Sequence, residues 1–237
     1  MHAFAYVHAL NALAEGCIVC ATGGYCLSQD QGSSSILLER NVCLRTTGSP
    51  HNTHYGTNLT YRNNIFFNGF YETWTAKTPA AALRTSPDRD GAVAPFPAGA
   101  CLDQLKFETN LIGLTDNKSA LLFEGDWRRD NSSAHATAFT FERNLYWAAS
   151  DAVDLLTARV FGGATQRVAH TRAYQLTWRE WQASGHDQAG GLGAPRFADA
   201  RWDRPPFNVT LEPDSPAWGL GWKPIDTRRV GPRGDRL

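Results

Sequence analysis

Excess charge of either sign is missing from this chain: 23 Lys and Arg stand against 23 Asp and Glu over 237 residues. That balance excludes a protein that grips nucleic acid with a basic face. It also gives no reason to expect an acidic polymer held by bulk charge alone. Apolar runs of about 18 residues are lacking, so no membrane-spanning helix is expected. The opening His2-Ala-Phe-Ala-Tyr6 has no basic n-region and no clean apolar h-region, so no signal peptide is visible. Cysteine is sparse and odd in number. Cys17, Cys20, Cys26, Cys43 and Cys101 are irregularly spaced, which predicts isolated buried thiols rather than a disulfide framework. Common catalytic signatures are absent too. Cys17-x-x-Cys20 lacks a second pair at zinc spacing, and Gly190-Gly-Leu-Gly193 lacks the Lys-Ser/Thr of a phosphate loop. No Gly-x-Ser-x-Gly elbow occurs. No metal or other cofactor is therefore implied.

What remains is an ordinary globular composition, 42% hydrophobic and 19% charged, in a chain long enough to bury a core. Aligned with itself, it shows one strong repeat. Ile36-Leu-Leu-Glu-Arg-Asn41-Val42 returns as Leu59-Thr-Tyr-Arg-Asn-Asn64-Ile65, as Leu105-Lys-Phe-Glu-Thr-Asn110-Leu111 and as Phe139-Thr-Phe-Glu-Arg-Asn144-Leu145. The pattern is apolar-x-apolar-x-x-Asn-apolar. Its asparagines are 23, 46 and 34 residues apart, read as one period, two periods, and one period plus eleven.

A period in the low twenties with one short alternating strand per copy suits a β-solenoid, whose coils are too small to bury their own apolar faces and so share one core. Alternation predicts Ile36, Leu38 and their counterparts facing inward. The asparagines are expected at corners, in left-handed geometry, each hydrogen-bonded to its copy one coil away. The expected fold is all-β, a right-handed parallel β-helix with a C-terminal cap containing one short helix. Thr177-Trp-Arg-Glu180 reads as a capping box opening that helix, with Gly185 as its stop. Residues 1–22 are expected to be irregular, 23–150 to form coils with a loop thrown out at 75–100, and 151–237 to form the cap and tail.

At these residues the chain resembles right-handed β-helix repeat proteins of the pectin-lyase-like superfamily, in particular their C-terminal part. Gly23-Gly24-Tyr25-Cys26-Leu27-Ser28-Gln29-Asp30-Gln31-Gly32-Ser33 is similar to the family's Gly-Gly-Trp-Gly-x-Tyr-x-Asp-Glu-Gly-Ser stretch, and His54-Tyr55-Gly56 to part of its His-Gln-His-Tyr-Gly element. Asn144-Leu145-Tyr146-Trp147, Glu180-Trp181-Gln182, Gly185-His186-Asp187, Ser215-Pro216-Ala217 and Lys223-Pro224-Ile225-Asp226 follow in the family's order. The resemblance implies a carbohydrate-active protein, glycoside-hydrolase-like, secreted, monomeric, with a polysaccharide or other glycan as partner and neither nucleic acid nor membrane. Two departures stand out. Residues 7–22 look inserted, and the family's Asp-Glu pair is Asp30-Gln31, one carboxylate short.

The period locates a candidate site. A step of 23 carries Asp30 and Gln31 onto Thr53 and His54, with Tyr55 beside them. Acid, amide, imidazole and phenol on one stripe offer planar hydrogen-bonding groups and an aromatic face to a sugar. Asp30 and His54 are assigned to catalysis. Gln31, Tyr55, Glu124, Asp126 and Trp127 are assigned to substrate binding, with Glu124 and Asp126 on the same stripe ~10–14 Å from Asp30. Hydrolysis normally needs two carboxylates ~5–5.5 or ~6.5–9.5 Å apart, so Asp30 lacks a secure partner. A lyase is the rival, with His54 or Tyr55 as base and Arg45 or Arg62 as carboxylate clamp. A non-catalytic glycan-binding or structural solenoid is the third reading. Trp127, Trp147, Trp178 and Trp181 suit sugar stacking or sealing of the core. Sequons at Asn58, Asn117, Asn131 and Asn208 are usable in a secretory route.

Overall fold

The computed structural model describes residues 5–7, 13–15, 18–20, 26–30, 34–44, 51–54, 57–68, 83–86, 105–114, 121–126, 139–148, 157–161, 173–176, 178–183, 185–204 and 206–229. They are all-β, with two short helices. In chain order the strands are β1 Ala5–Val7, β2 Leu13–Glu15, β3 Ile18–Cys20, β4 Leu27–Asp30, β5 Ser34–Glu39, β6 Val42–Leu44, β7 His51–His54, β8 Thr57–Arg62 and β9 Ile65–Asn68. There follow β10 Leu83–Ser86, β11 Leu105–Glu108, β12 Leu111–Leu114, β13 Leu121–Asp126, β14 Phe139–Glu142, β15 Leu145–Ala148, β16 Thr157–Phe161 and β17 Ala173–Leu176. Helix α1 (Trp178–Ala183), β18 (Gly191–Leu192), helix α2 (Pro216–Gly219) and a 3-10 turn (Thr227–Arg229) complete the order, so the C-terminal part holds a second short helix where one was expected.

Apart from β17, every third strand joins the same sheet. The first sheet runs β1-β4-β7-β10-β13-β16-β17, the second β14-β11-β8-β5-β2, and the third β18-β15-β12-β9-β6-β3. All pairings are parallel except β16 with β17. The four sequence repeats are β5-β6, β8-β9, β11-β12 and β14-β15, paired in register so that Leu59 lies opposite both Ile36 and Leu105. In the second sheet the alternation holds: Ile36, Leu38, Leu59, Tyr61, Phe107 and Phe141 are buried. Tyr61, Phe107 and Phe141 stack ring on ring at 4.7 and 4.8 Å, the strand spacing itself. On the outer side Arg62 donates to Glu39 at 2.6 Å, in the column Glu39, Arg62, Glu108, Glu142.

Asparagines 41, 64, 110 and 144 form the expected ladder. In each step the side-chain oxygen of one accepts from both the backbone N–H and the amide of the one before, at 2.9–3.1 Å. The second amide hydrogen goes back to a carbonyl, as from Asn110 to Tyr61 at 3.0 Å. The left-handed residue is not the ladder asparagine but the one before it: Arg40, Asn63, Thr109 and Arg143 all have φ of 55–56°. Left-handed backbone at the preceding residue makes the corner, and leaves the asparagine amide free to bridge. Thr109 is β-branched, a poor occupant of that region. Thr109→Asn is expected to raise the unfolding free energy by about 1 kcal/mol in urea titrations.

Four further sequence expectations need correcting. The 46 residues between Asn64 and Asn110 make one step of the ladder, not two periods, since the two asparagines bond directly. Within the supposed loop 75–100, Leu83–Ser86 pairs with both β7 and β13. Residues 1–22, expected to be irregular, contribute β1, β2 and β3, which pair with β4, β5 and β6. Ala12-x-Ala14-x-x-Cys17-Ile18 is a degenerate copy of the repeat in which small residues and a cysteine hide the pattern. Lastly, Cys26 and Cys43 are not isolated thiols but a disulfide, buried on both sides, with Cα atoms 5.8 Å apart. Cys26 sits just before β4 and Cys43 is the middle residue of β6, so the bridge ties the start of a first-sheet strand to a third-sheet strand although the spacing along the chain follows no motif.

The third sheet is covered on both faces. Val42, Leu44, Ile65, Phe67, Leu111, Leu145 and Trp147 cluster with Val209, Leu211, Ala217, Trp222 and Ile225 of the tail. Alternate residues Cys43, Phe66, Ile112 and Tyr146 are buried as well. The tail thus runs along the sheet's outer flank. It is pinned by Asn63, whose amide donates to the Lys223 carbonyl at 2.8 Å and whose oxygen accepts from the Lys223 N–H at 2.7 Å.

Candidate functional site

Four of the seven sequence-derived site residues lie on first-sheet strands and are described by strand and register: Asp30 on β4, His54 on β7, Glu124 and Asp126 on β13. Gln31, Tyr55 and Trp127 lie outside the described residues, as do Arg45 and the sequons at Asn117 and Asn131.

The β4–β7 register pairs Leu27 with His51, Ser28 with Asn52 and Gln29 with Thr53, an offset of 24. One residue further brings Asp30 level with His54, not with Thr53 as a step of 23 predicts. His54 is paired with Ser86. Arg84 pairs with Glu124, so Ser86 is level with Asp126, which pairs with Phe161. Asp30, His54, Ser86, Asp126 and Phe161 therefore form one column across the sheet. Two residues away runs a second column of Ser28, Asn52, Arg84, Glu124 and Arg159. Both columns alternate with Leu27, which is fully buried. At a strand spacing of ~4.8 Å, Asp30 lies one step from His54, and Asp126 lies two steps from His54 and three from Asp30. Glu124 and Asp126, two residues apart on one strand, are ~6.6–6.8 Å apart at Cα. The register also places Arg84 and Arg159 on either side of Glu124. Periodicity missed both arginines, because β10 and β16 carry no copy of the asparagine motif.

A second polar cluster sits where the asparagine ladder ends. Its last step is taken by Asp187, whose Oδ1 accepts from the N–H and the amide of Asn144 at 3.0 and 2.9 Å. Its Oδ2 accepts from the Tyr146 hydroxyl and from the Trp181 indole N–H, the latter at 3.3 Å. Among the described residues no ion pair neutralises this fully buried carboxyl. Burial pushes its pKa up to about 6, against the opposing pull of the hydrogen bonds. Burial and the neighbouring carboxyl drive Tyr146 well above the usual phenol range. His186, stacked on Trp181 at 4.3 Å and edge-on to Phe141 at 5.6 Å, is lowered by burial to about 4.

Three of the motifs quoted above for their order along the chain thus meet at one point: Asn144 to Trp147, Glu180 to Gln182, and Gly185 to Asp187. Helix α1 is held there by Gly185, at φ 96°, whose N–H donates to Gln182 O at 3.0 Å. Trp181 closes the end of the Tyr61-Phe107-Phe141 stack, 4.9 Å from the last ring. Trp147 is buried under the tail and Trp178 lies edge-on to Tyr146 at 5.2 Å. These three tryptophans pack against protein rings. Two further motifs serve the tail: the Ser215 hydroxyl caps α2, and Ile225 enters the flank cluster. Among the described residues no helix is long and apolar enough to cross a membrane, and no group of three His, Cys, Asp or Glu is set to hold a metal. No family model, no curated protein and no solved structure matches the chain.

Proposed function

We propose that the chain is part of a right-handed parallel β-helix of pectin-lyase-like kind, and that it acts on a polysaccharide laid across its first sheet. The observation that carries this reading is the pair of polar columns on that sheet. Strands stacked at ~4.8 Å present repeated hydrogen-bonding positions along a ridge, which suits a polymer of repeated hydroxyls. The three-sheet order and the asparagine ladder support the helix reading.

Inverting hydrolysis uses an acid and a base ~6.5–9.5 Å apart, leaving room for a water. Glu124 and Asp126 have that separation at the backbone, whereas Asp30 and Asp126 are three strands apart, ~14 Å. In this reading Glu124, flanked in register by Arg84 and Arg159, is the base that activates water, and Asp126, level with Ser86 and Phe161, is the acid for the leaving oxygen. Asp30 and His54, one strand apart, hold the sugar on the same ridge. A purely binding role is the second reading, favoured by Gln31 in place of the family's carboxylate.

Reducing ends released from a polysaccharide panel test the proposal. Glu124→Gln and Asp126→Asn should each lower turnover by about 10²–10⁴-fold while binding persists. Binding without turnover by the unaltered chain and by Gln31→Glu selects the second reading. An unsaturated product absorbing in the near ultraviolet selects a lyase. No binding to any glycan overturns both.

A further inference from the structure

Two sequons lie where side chains are described, Asn58-Leu59-Thr60 and Asn208-Val209-Thr210, and neither serves the chemistry above. Along the tail, burial alternates as in a strand. Val209 and Leu211 enter the cluster on the third sheet, 2% and 5% exposed, while Asn208 and Thr210 face solvent. The backbone here is held on both sides of the sequon. Phe207 O accepts from the Thr227 hydroxyl at 2.5 Å, and Thr210 O accepts from the Ala198 N–H at 2.9 Å. Asn208 Oδ1 accepts from the Thr210 N–H at 3.2 Å, which commits the oxygen to the turn. The Nδ2 amide is left without a hydrogen bond among the described residues.

Asn58 is placed differently. It stands in β8, which pairs with β5 on one side and β11 on the other. Its Nδ2 donates to Ser35 Oγ at 3.1 Å, and both residues have left-handed backbone, φ 54° and 56°. That amide is bonded across to the neighbouring strand. The Cys26–Cys43 bridge is a second and independent observation. Disulfides form and persist in oxidising compartments, and in a secretory route an exposed Asn-x-Ser/Thr is an acceptor for glycan.

We propose that this chain carries an N-linked glycan on Asn208 and none on Asn58. The Asn208 Nδ2 attacks the anomeric carbon of a lipid-pyrophosphate-linked oligosaccharide. A C–N bond forms there and the C–O bond to the pyrophosphate breaks. The lipid pyrophosphate leaves with the electron pair, and the amide gives up one proton. Transfer competes with folding. Pairing of β8 with β5 and β11 withdraws Asn58, whereas the tail docks only on a third sheet that already exists and leaves Asn208 exposed once docked. The glycan projects from the tail over the third sheet, so the polar columns of the first sheet stay uncovered.

The full chain, directed into the secretory pathway of a eukaryotic host, is digested and treated with peptide N-glycosidase in heavy-oxygen water. That treatment turns each glycosylated Asn into labelled Asp, which peptide mass spectrometry locates. The label should fall on Asn208 and be absent from Asn58. Asn208→Gln and Thr210→Ala should each abolish the gel-mobility shift of that glycan, and Thr210→Ser should retain it. Thr210→Ala keeps the Asn208 amide and its bond from the backbone N–H, so its loss of glycan is separate from any loss of the turn. An unlabelled Asn208, a labelled Asn58, or Cys26 and Cys43 both alkylated without reductant in the secreted chain would overturn the proposal.

Discussion

Replacing Asn110 by alanine is expected to cost about 5 kcal/mol of unfolding free energy. The side chain makes four buried hydrogen bonds. It accepts from the Asn64 N–H and amide, and donates to Tyr61 O and to Asn144 Oδ1. Truncation strands donors and acceptors that no water reaches, at about 1–3 kcal/mol for each group left unpaired. The sum of four such losses is tempered by partial collapse of the corner. Asn110→Asp separates the bonds. It keeps the acceptor for Asn64 but sets oxygen against the Asn144 and Tyr61 oxygens, so it should cost nearly as much at neutral pH. Denaturant titrations of both variants give the comparison, and a loss under about 1.5 kcal/mol for Asn110→Ala would mean the ladder holds little of the fold.

Gly113→Ala is the second large effect, expected at about 3 kcal/mol. In the column Leu44, Phe67, Gly113, Trp147, the glycine lies between two large rings. Phe67 and Trp147 lean together over it and stack at 5.5 Å. A Cβ at 113 would meet Trp147 carbons at 2.3 and 2.4 Å and a Phe67 carbon at 2.7 Å, deep inside contact distance. Both rings would have to rotate, and Trp202, edge-on to Phe67 at 4.9 Å, sits in the way. Overpacking of this kind costs about 1–3 kcal/mol, occasionally more. Thermal unfolding should also show a lower midpoint for release of the tail, followed by tryptophan fluorescence, because the displaced rings are the surface on which residues 197–225 pack.

The repeat was legible because its physics is local. Alternation and a corner asparagine recur in each copy, and Ile36, Leu38, Leu59, Tyr61, Phe107 and Phe141 are buried as their pattern requires. Coverage of the third sheet was written in the chain as well, in Val42-Cys-Leu44, Ile65-Phe-Phe67 and Leu145-Tyr-Trp147. Unbroken apolar runs mark strands buried on both faces, yet nothing in those runs names the segment that covers them. The candidate ridge was half legible. A step of 23 found the right strands for Asp30 and His54, but the one-residue change of offset between β4 and β7 moved the pairing from Thr53 to His54. Arg84 and Arg159 escaped notice because the stretches that carry them bear no repeat signature.

Sequence alone determined the repeated strand pattern, the four ladder asparagines, the all-β class, and a helix ended by Gly185, since each follows from backbone and side-chain preferences over a few residues. Tertiary structure decided the rest: the Cys26–Cys43 bridge, the tail pinned to Asn63, and the capture of Asp187 by Asn144, Tyr146 and Trp181. These contacts join residues that share no spacing rule, and they form only because parallel pairing of strands far apart in sequence brings distant parts of the chain within hydrogen-bonding distance. Energies of that kind depend on who the neighbour is, and the neighbour is chosen by the fold.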